Sequence, residues 1–404
     1  MRGIVIIGAG QGGFQVAASL RASGFDAPIV LISEEPGLPY QRPPLSKTYM
    51  KDGDADRLLL RPASFFERNH IEIVHDRVTR IDRAAQLVTG ASGQTHAYDR
   101  LILAMGAHNA IPPIKGAGDA EVLSLRTLQD AAVLRSRLAD TRHAVVVGGG
   151  FIGLEFAAMA RAAGCAVTVV EATPRVMARA VSAPVSHAFE ARHRAQGIVL
   201  HVDCPAAKIA GDHVILADGR KIVGDLVLLA AGVRPNVALA QAAGLDVDNG
   251  IRVDAHLRTS DARIFALGDC ASFPDPVSGR HIRLESVQAA TDHAHTIAAN
   301  CVGTPKAYDA VPWFWSDQGD DKLQIAGLAL EGDTAELIRT ESEKFLVFRF
   351  RNGFFCSLES INNPSAHISA RQLLKLFPHI AYEKIRAHDF NLKQVLAAEK
   401  AMAT

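Results

Sequence analysis

The chain has 404 residues, enough for two or three domains at about 150 residues each. Hydrophobic residues make up 48% and charged residues 21%, the composition of a folded globular protein and not of a disordered one. Lys and Arg total 43 and Asp and Glu total 43, so the cationic surplus that non-specific nucleic-acid binding needs is missing. Five cysteines, Cys165, Cys204, Cys270, Cys301 and Cys356, stand far apart with no C-x-x-C spacing. That pattern excludes a zinc ribbon, a thioredoxin-type motif and a disulfide framework, and it suits a reducing, cytoplasmic location. Apolar runs such as 225–232 are of strand length, well short of the roughly 18 residues of a bilayer span. The run at 4–7 is too short for the core of a signal peptide.

In chain order, residues 4–7 (IVII) read as a buried strand, followed by Gly8-Ala-Gly10-Gln-Gly12-Gly13 and a helix over 14–24 that closes at Gly24. A second strand at 29–32 stops at Ser33-Glu34-Glu35. Adjacent prolines, Pro43-Pro44, forbid helix and stiffen the loop after them. Residues 99–106 form another buried strand, and Ile111-Pro112-Pro113 marks a crossing between domains. About 140 residues after the first motif the pattern returns: strand 144–147, Gly148-Gly-Gly150-Phe-Ile-Gly153, a helix ending at Gly164, strand 166–170 and Glu171. Residues 225–232 and Pro235 read as the return crossing, 264–269 as a strand ending in an acid, and 285–298 as a helix. Residues 312–318 (PWFWSDQ) and 345–350 read as strands, and 366–400 as helical. The expected organisation is a first domain of residues 1–110 and 237–308, a second of 111–236 inserted in it, and a C-terminal α+β domain of 309–404.

Each copy reads as strand, glycine turn, helix, strand, acid, which is one βαβ unit. A dinucleotide carries two negative charges on its pyrophosphate, and a helix N-terminus offers unpaired N–H groups and partial positive charge. The first glycine makes the turn, the second admits the phosphates and the third lets helix pack on strand. Gly8, Gly10 and Gly13 fit these roles in the first copy, and Gly148, Gly150 and Gly153 in the second. Glu34 and Glu171 stand where a carboxylate accepts from ribose hydroxyls and repels a 2′-phosphate, which favours NADH over NADPH at the second site. Arg175 is placed to soften that preference. Two dinucleotide sites in one chain point to a bound flavin and a diffusible nicotinamide exchanging hydride. The histidines His293 and His295 are read as solvated or capping, and no metal site is expected.

The two glycine motifs, Arg42-Pro-Pro-Leu-Ser-Lys47, Leu125-Arg-Thr-Leu128, Gly232-Val-Arg-Pro-Asn236, Gly268-Asp269 and Trp313-Phe-Trp-Ser-Asp-Gln318 together resemble the putidaredoxin-reductase-like family of FAD-dependent NADH:ferredoxin reductases that serve oxygenases. The resemblance spans residue 4 to about 365. It implies a glutathione-reductase-like α/β fold with two Rossmann-type dinucleotide-binding domains and a C-terminal α+β domain. By the same resemblance FAD contacts fall on Gly12 at the pyrophosphate, Glu34 at the adenosine ribose, Arg42, Lys47 near the flavin, Val78 at the adenine, Arg126, Asp269 on the ribityl chain, and Val287 at a helix N-terminus facing the pyrimidine ring. It also implies that Lys47 pairs with Glu155 beside the flavin, and that Trp315 borders the electron exit.

Disulfide reductases of this fold need two cysteines soon after the first glycine motif, and peroxide-reducing relatives need one near residues 45–46. Here Leu45-Ser46 stand in that stretch and the first cysteine is Cys165. A thiol relay is unavailable. The chain also lacks the cysteine run of its own iron–sulfur cluster. The resemblance therefore implies an enzyme that passes electrons one at a time from NADH, through FAD, to a separate 2Fe-2S ferredoxin. That ferredoxin would feed a haem-thiolate monooxygenase or a ring-hydroxylating dioxygenase. A monomer or weak dimer is expected, with no nucleic-acid or membrane partner. The rival readings are an NADH-dependent peroxidase or oxidase, and a redox-sensing flavoprotein of the apoptosis-inducing-factor type.

Overall fold

The first apolar run becomes the strand Gly3–Ile7, buried along its whole length, in the computed structural model, which describes residues 2–341 and 344–403. The chain divides into two units. One holds the segments up to Arg42, Asp54–His108 and Val233–Ala310; the other holds Pro43–Gly53, Asn109–Gly232 and the chain from Val311 onward.

In the first unit, Gly3–Ile7 pairs in parallel with Ile29–Ser33 and with Thr95–Leu103. Ile71–His75 extends the sheet on one side and Ile264–Ala266 on the other, both in parallel register. Val78–Asp82 and Leu87–Gly90 continue it as an antiparallel hairpin. Helices Gln11–Ala22 and Val287–Cys301 pack on this sheet around one core that includes Phe14, Leu20, Leu31, Leu101, Phe265 and Ile297. Near-continuous apolar strands are what a parallel sheet covered on both faces requires.

The second unit repeats the motif. His143–Val147 pairs in parallel with Ala166–Val170 and with Leu226–Leu229, and Val199–His201 adds an edge. The helix Phe151–Ala162 covers it. Both glycine-motif helices end in the same way. Gly24 N–H donates to Arg21 O and Phe25 N–H to Leu20 O; Gly164 N–H donates to Arg161 O and Cys165 N–H to Ala160 O. Gly24 and Gly164 take positive φ, +80° and +95°, one residue past each cap. The C-terminal segment forms a five-stranded antiparallel sheet in the order Trp313–Gln318, Asp321–Gly327, Phe354–Ile361, Lys344–Arg351, Thr334–Glu341. The helix Pro364–Leu376 packs on it.

Two expectations are corrected. Pro43 and Pro44 do not forbid helix: they open the 3-10 turn Pro43–Ser46, followed by the short helix Thr48–Asp52. Proline is tolerated in a first turn because the N–H it lacks would be unpaired there anyway. The helical stretch 366–400 is three helices, Pro364–Leu376, Tyr382–Arg386 and Leu392–Ala403. The first stops at Phe377 because Pro378 bars the α conformation from the residue before it. Asp389 and Phe390, both at positive φ, turn the chain into the third.

Within the second unit a buried carboxylate ties the nucleotide-type segment to the C-terminal sheet. Glu359 is 1% exposed; it accepts from the Ser182 N–H at 3.0 Å, from the Ser182 hydroxyl, and from Arg349 Nη1 at 3.1 Å. Ser182 stands at the N-cap position of the helix Ala183–Ala195, with its hydroxyl turned to Glu359 instead of the helix. Burial pushes the Glu359 carboxyl up, and its donors oppose that. Replacing Glu359 with Ala leaves Arg349 buried without its carboxylate, so urea unfolding should show a loss of about 3 kcal/mol.

Candidate functional site

The two glycine turns have nearly the same geometry. Gly8 and Gly148 adopt φ of +105° and +114°, and a Cβ on either would lie 2.3 Å from a carbonyl oxygen, of Ala104 or Ala230. A Cβ on Gly13 would lie 1.9 Å from Gly8 O, and one on Gly153 2.1 Å from Gly148 O. Each helix is thus pressed against its own turn, where no side chain fits. At the N-caps, Gly10 and Gly150, a Cβ would meet nothing within 4 Å. Neither helix has a side-chain cap or an acid in its first turn. Each start is therefore a set of N–H groups with no anion of the protein's own.

The two acids differ. Glu34 lies just past the strand with its side chain 72% exposed, 3.9 Å from Arg77. Glu171 is half-buried; its Oε2 accepts from the Gly149 N–H at 2.7 Å, and its Oε1 from the N–H and hydroxyl of Thr173 at 2.7 Å each. This bond fixes the acid against the second glycine turn. Arg175 does not soften the charge there. Its guanidinium donates to Val181 O, Ser186 Oγ and Ala178 O and braces its own loop. The motifs differ also at their fifth residue: Gly12 lets its helix approach Leu267 and Ala290, whereas Ile152 at the matching place is exposed.

The other expected residues of the first unit stand at element ends. Arg42 forms a triangle with Glu35 and Tyr40 just after the second strand. Val78 begins a hairpin strand, half-buried against the core. Asp269 lies half-buried in the 3-10 turn Gly268–Cys270 that follows strand Ile264–Ala266. Val287 is half-buried at the first position of its helix, where the Ser286 hydroxyl accepts from the Ala289 N–H. The helix N-terminus carries no acid in its first turn.

The reading of His293 as solvated or capping is half wrong. Its ring is fully buried, and Nδ1 accepts from the Gly268 N–H at 3.2 Å, so it braces the turn that presents Asp269. It packs edge-on against Phe273 and Tyr308. The i and i+2 spacing turns His295 out to solvent. Cys270, beside Asp269, is fully buried, and burial pushes its thiol up to about 11, so it is no thiolate nucleophile.

The second unit collects Lys47, Glu155, Arg126, Trp315 and the second glycine turn. Glu155 is 4% exposed, on the helix Phe151–Ala162. Lys47 Nζ donates to its Oε2 at 2.9 Å, so the pair expected from the resemblance forms. Two partners were not expected: Ser46 Oγ donates to Oε2 at 2.6 Å and Ser316 Oγ to Oε1 at 2.7 Å. Arg126 precedes the helix Leu128–Leu138, and its N–H donates to Asp130 Oδ2 within a capping box on Thr127. Trp313 and Trp315 share one strand face with ring centroids 5.5 Å apart, as alternation predicts. Arg371 lies 4.2 Å over Trp313. Phe314, on the opposite face, packs 4.5 Å from Phe151 at the start of the second glycine helix. The same alternation places Phe314 apart from the tryptophans, so its position was readable.

Burial holds the His293 imidazole down at about 3, so between about pH 3 and 6.5 the folded chain keeps it neutral while the unfolded chain protonates it. The unfolded state then binds more protons, and stability falls as pH drops through that window. Urea unfolding should show roughly 2.6 kcal/mol less stability at about pH 4.5 than at about pH 7.5 from this group alone. His293→Asn, which keeps an acceptor for Gly268, should remove that part of the acid dependence.

Residues 2–294 match the pyridine nucleotide-disulphide oxidoreductase family, and residues 313–396 match the reductase C-terminal family. The chain is 44% identical to rhodocoxin reductase of Rhodococcus erythropolis, over 98% of this chain and 95% of that protein. It is 42% identical to the ferredoxin–NAD(+) reductase component of the anthranilate 1,2-dioxygenase system of Burkholderia cepacia, over 82% and 83%. The crystal structure of the covalent putidaredoxin reductase–putidaredoxin complex superposes with a TM-score of 0.94 at 35% identity, covering 99% of each chain. Two glycine cradles, a matching C-terminal sheet domain and these relatives lead to one assignment: the chain belongs to the pyridine nucleotide-disulphide oxidoreductase family and carries a reductase C-terminal domain.

Proposed function

We propose that this chain is an NADH-dependent, FAD-containing ferredoxin reductase of an oxygenase system. One NADH and two oxidised 2Fe-2S ferredoxins give NAD⁺, one proton and two reduced ferredoxins. The observation that carries the reading is the pair of like cradles in a chain with no thiol placed to relay electrons. All five cysteines are free. Burial pushes Cys270 and Cys301 up to about 11 and Cys356 up to about 12. Despite the family's name, disulfide exchange has no residue to run on here.

The first cradle fits the FAD pyrophosphate: uncapped N–H groups, room at Gly10, an exposed Glu34 for a ribose, and Gly12 and Gly13 without side chains. Asp269 offers a carboxylate to the ribityl hydroxyls, and the helix start at Val287 offers N–H groups and dipole to a developing negative charge. Arg42, Val78 and Arg126 complete the set on the ground of the resemblance. The second cradle, Gly148, Gly150 and Gly153 with Glu171, fits NAD(H), and Glu171 repels a 2′-phosphate. When bound, FAD supplies the step from a two-electron hydride to two one-electron transfers. On the ground of the resemblance, Lys47, held by Glu155, is assigned to the flavin and Trp315 to the electron exit. Segments 1–110 and 237–308 are assigned to FAD, 111–236 to NAD, and 309–404 to the acceptor side.

The relatives named for ferredoxin support the acceptor. Among the described residues no helix is long and apolar enough to cross a membrane, and free thiols fit a cytoplasmic setting. The terminal oxygenase is a haem-thiolate monooxygenase or a ring-hydroxylating dioxygenase.

The purified chain should carry flavin absorbance, and NADH-driven cytochrome c reduction should rise in proportion to added 2Fe-2S ferredoxin. A rate indifferent to ferredoxin, or NADH consumption that needs peroxide, would contradict the reading.

A further inference from the structure

The Glu155 carboxylate is the near end of a longer buried chain. Gln318 Nε2 donates to Ser316 Oγ at 3.3 Å, and to the thioether of Met177 at 3.4 Å. Gln318 Oε1 lies 2.8 Å from His193 Nε2, on the helix Ala183–Ala195. Ser316, Gln318, His193 and Glu155 are each at most 4% exposed. All lie in the second unit.

Donor and acceptor counting gives this chain one direction. Lys47 and Ser46 use Glu155 Oε2, and Ser316 uses Oε1. The single Ser316 proton is therefore committed to the carboxylate, and its oxygen must accept from Gln318. The Gln318 oxygen is then left for His193, whose Nε2 must carry the proton. His193 Nδ1, buried with no partner, is then a bare lone pair. The reverse arrangement would bury an unpaired N–H there instead, which is the costlier orphan. Burial also holds the His193 imidazole below its ordinary value, so it stays neutral. Every one of these groups donates toward Glu155, so the whole chain of donors converges on one carboxylate. The donors on Glu155 come from two segments, the 3-10 turn Pro43–Ser46 with the residue after it and the strand Trp313–Gln318, while Glu155 itself stands on the second glycine helix.

We propose that Ser316, Gln318 and His193 are positioning residues that hold the Glu155 carboxylate in place, and through it orient Lys47 for the NADH reaction. The proposal rests on the oxidoreductase reading above. Removing Ser316 leaves Oε1 of a buried carboxylate without its donor, and Lys47 free to follow a less constrained partner. Cutting the chain at Gln318 frees the Ser316 hydroxyl to turn away. These residues act at a distance, so their effects must pass through Lys47.

The test uses the full chain with FAD. Ser316→Ala and Gln318→Met should each slow flavin reduction by NADH in stopped flow about tenfold at saturating NADH, the scale of one lost hydrogen bond to a charged group. The NADH concentration at half-saturation should not move. The midpoint potential of the bound flavin should shift in the same direction as in Lys47→Met. Added to Lys47→Met, neither variant should change rate or potential further, because the residues act as one unit. Ser316→Thr and His193→Gln, which keep the donors, should behave as wild type, and His193→Phe should behave as Gln318→Met. Effects that add to those of Lys47→Met, or wild-type rates and potentials in folded Ser316→Ala and Gln318→Met, would overturn the proposal. A second readout needs no turnover: ¹⁵N spectra of His-labelled protein should show His193 protonated at Nε2 alone, and a proton at Nδ1 would overturn it too. A wild-type chain that binds no FAD but shows the Nε2 tautomer would refute the functional reading and leave the hydrogen-bond chain standing. A flavin-bearing, NADH-active chain with additive variants would refute only this inference.

Discussion

The fold rests on a steric constraint repeated twice: a helix pressed so closely on the glycine turn before it that no Cβ fits between them. At Gly13 and Gly153 the approach is to the carbonyl of Gly8 or Gly148. That closeness sets each helix start at the end of a parallel strand, aimed past the sheet. The N–H groups there have no side-chain cap. Where a protein leaves such groups without an anion of its own, their natural partner is an external phosphate. Doing so twice in one chain turns a common supersecondary unit into a machine for two dinucleotides. The remaining features, the acids after each second strand, the turn at Asp269 and the helix start at Val287, elaborate that arrangement.

The differences between the copies carry as much information as the likeness. Glu171 is bonded to the backbone of its glycine turn, and Arg175 is committed to its own loop, so the second site presents an anion fixed by backbone and Thr173 donors. Glu34 stands exposed. In the first copy Gly12 admits Leu267 and Ala290, which brings the first helix against the turn holding Asp269 and the helix starting at Val287. The second copy has Ile152 there. A tightly retained coenzyme and an exchangeable one place different demands on their sites, and the first copy is the more elaborated of the two.

Much of this was legible in the sequence. Strand, glycine turn, helix, strand and acid are local patterns with fixed spacing, so both βαβ units could be read, with glycines at the tight turns. The shared face of Trp313 and Trp315 followed from strand alternation. What could not be read were contacts between distant segments. Ser46 and Ser316 meet Glu155 across 109 and 161 residues, and His193 meets Gln318 across 125. No local period encodes such pairs. His293 was misjudged for a related reason: periodicity marks a buried face by its apolar residues, and a histidine on that face looks polar until its acceptor role at Gly268 is seen. The prolines at 43 and 44 were misread by applying the rule for helix interiors to a helix start.

The central claim is that the two glycine turns hold two different dinucleotides in one chain. Its most direct measurement is nucleotide stoichiometry in the wild type and in Gly10→Asp and Gly150→Asp, where a side chain meets no protein atom within 4 Å, by flavin absorbance for FAD and by calorimetric titration for NAD⁺. One FAD and one NAD⁺ per wild-type chain are expected, with only FAD lost in Gly10→Asp and only NAD⁺ lost in Gly150→Asp while the chain stays folded. Loss of both nucleotides from either folded variant, or of neither, would contradict the account.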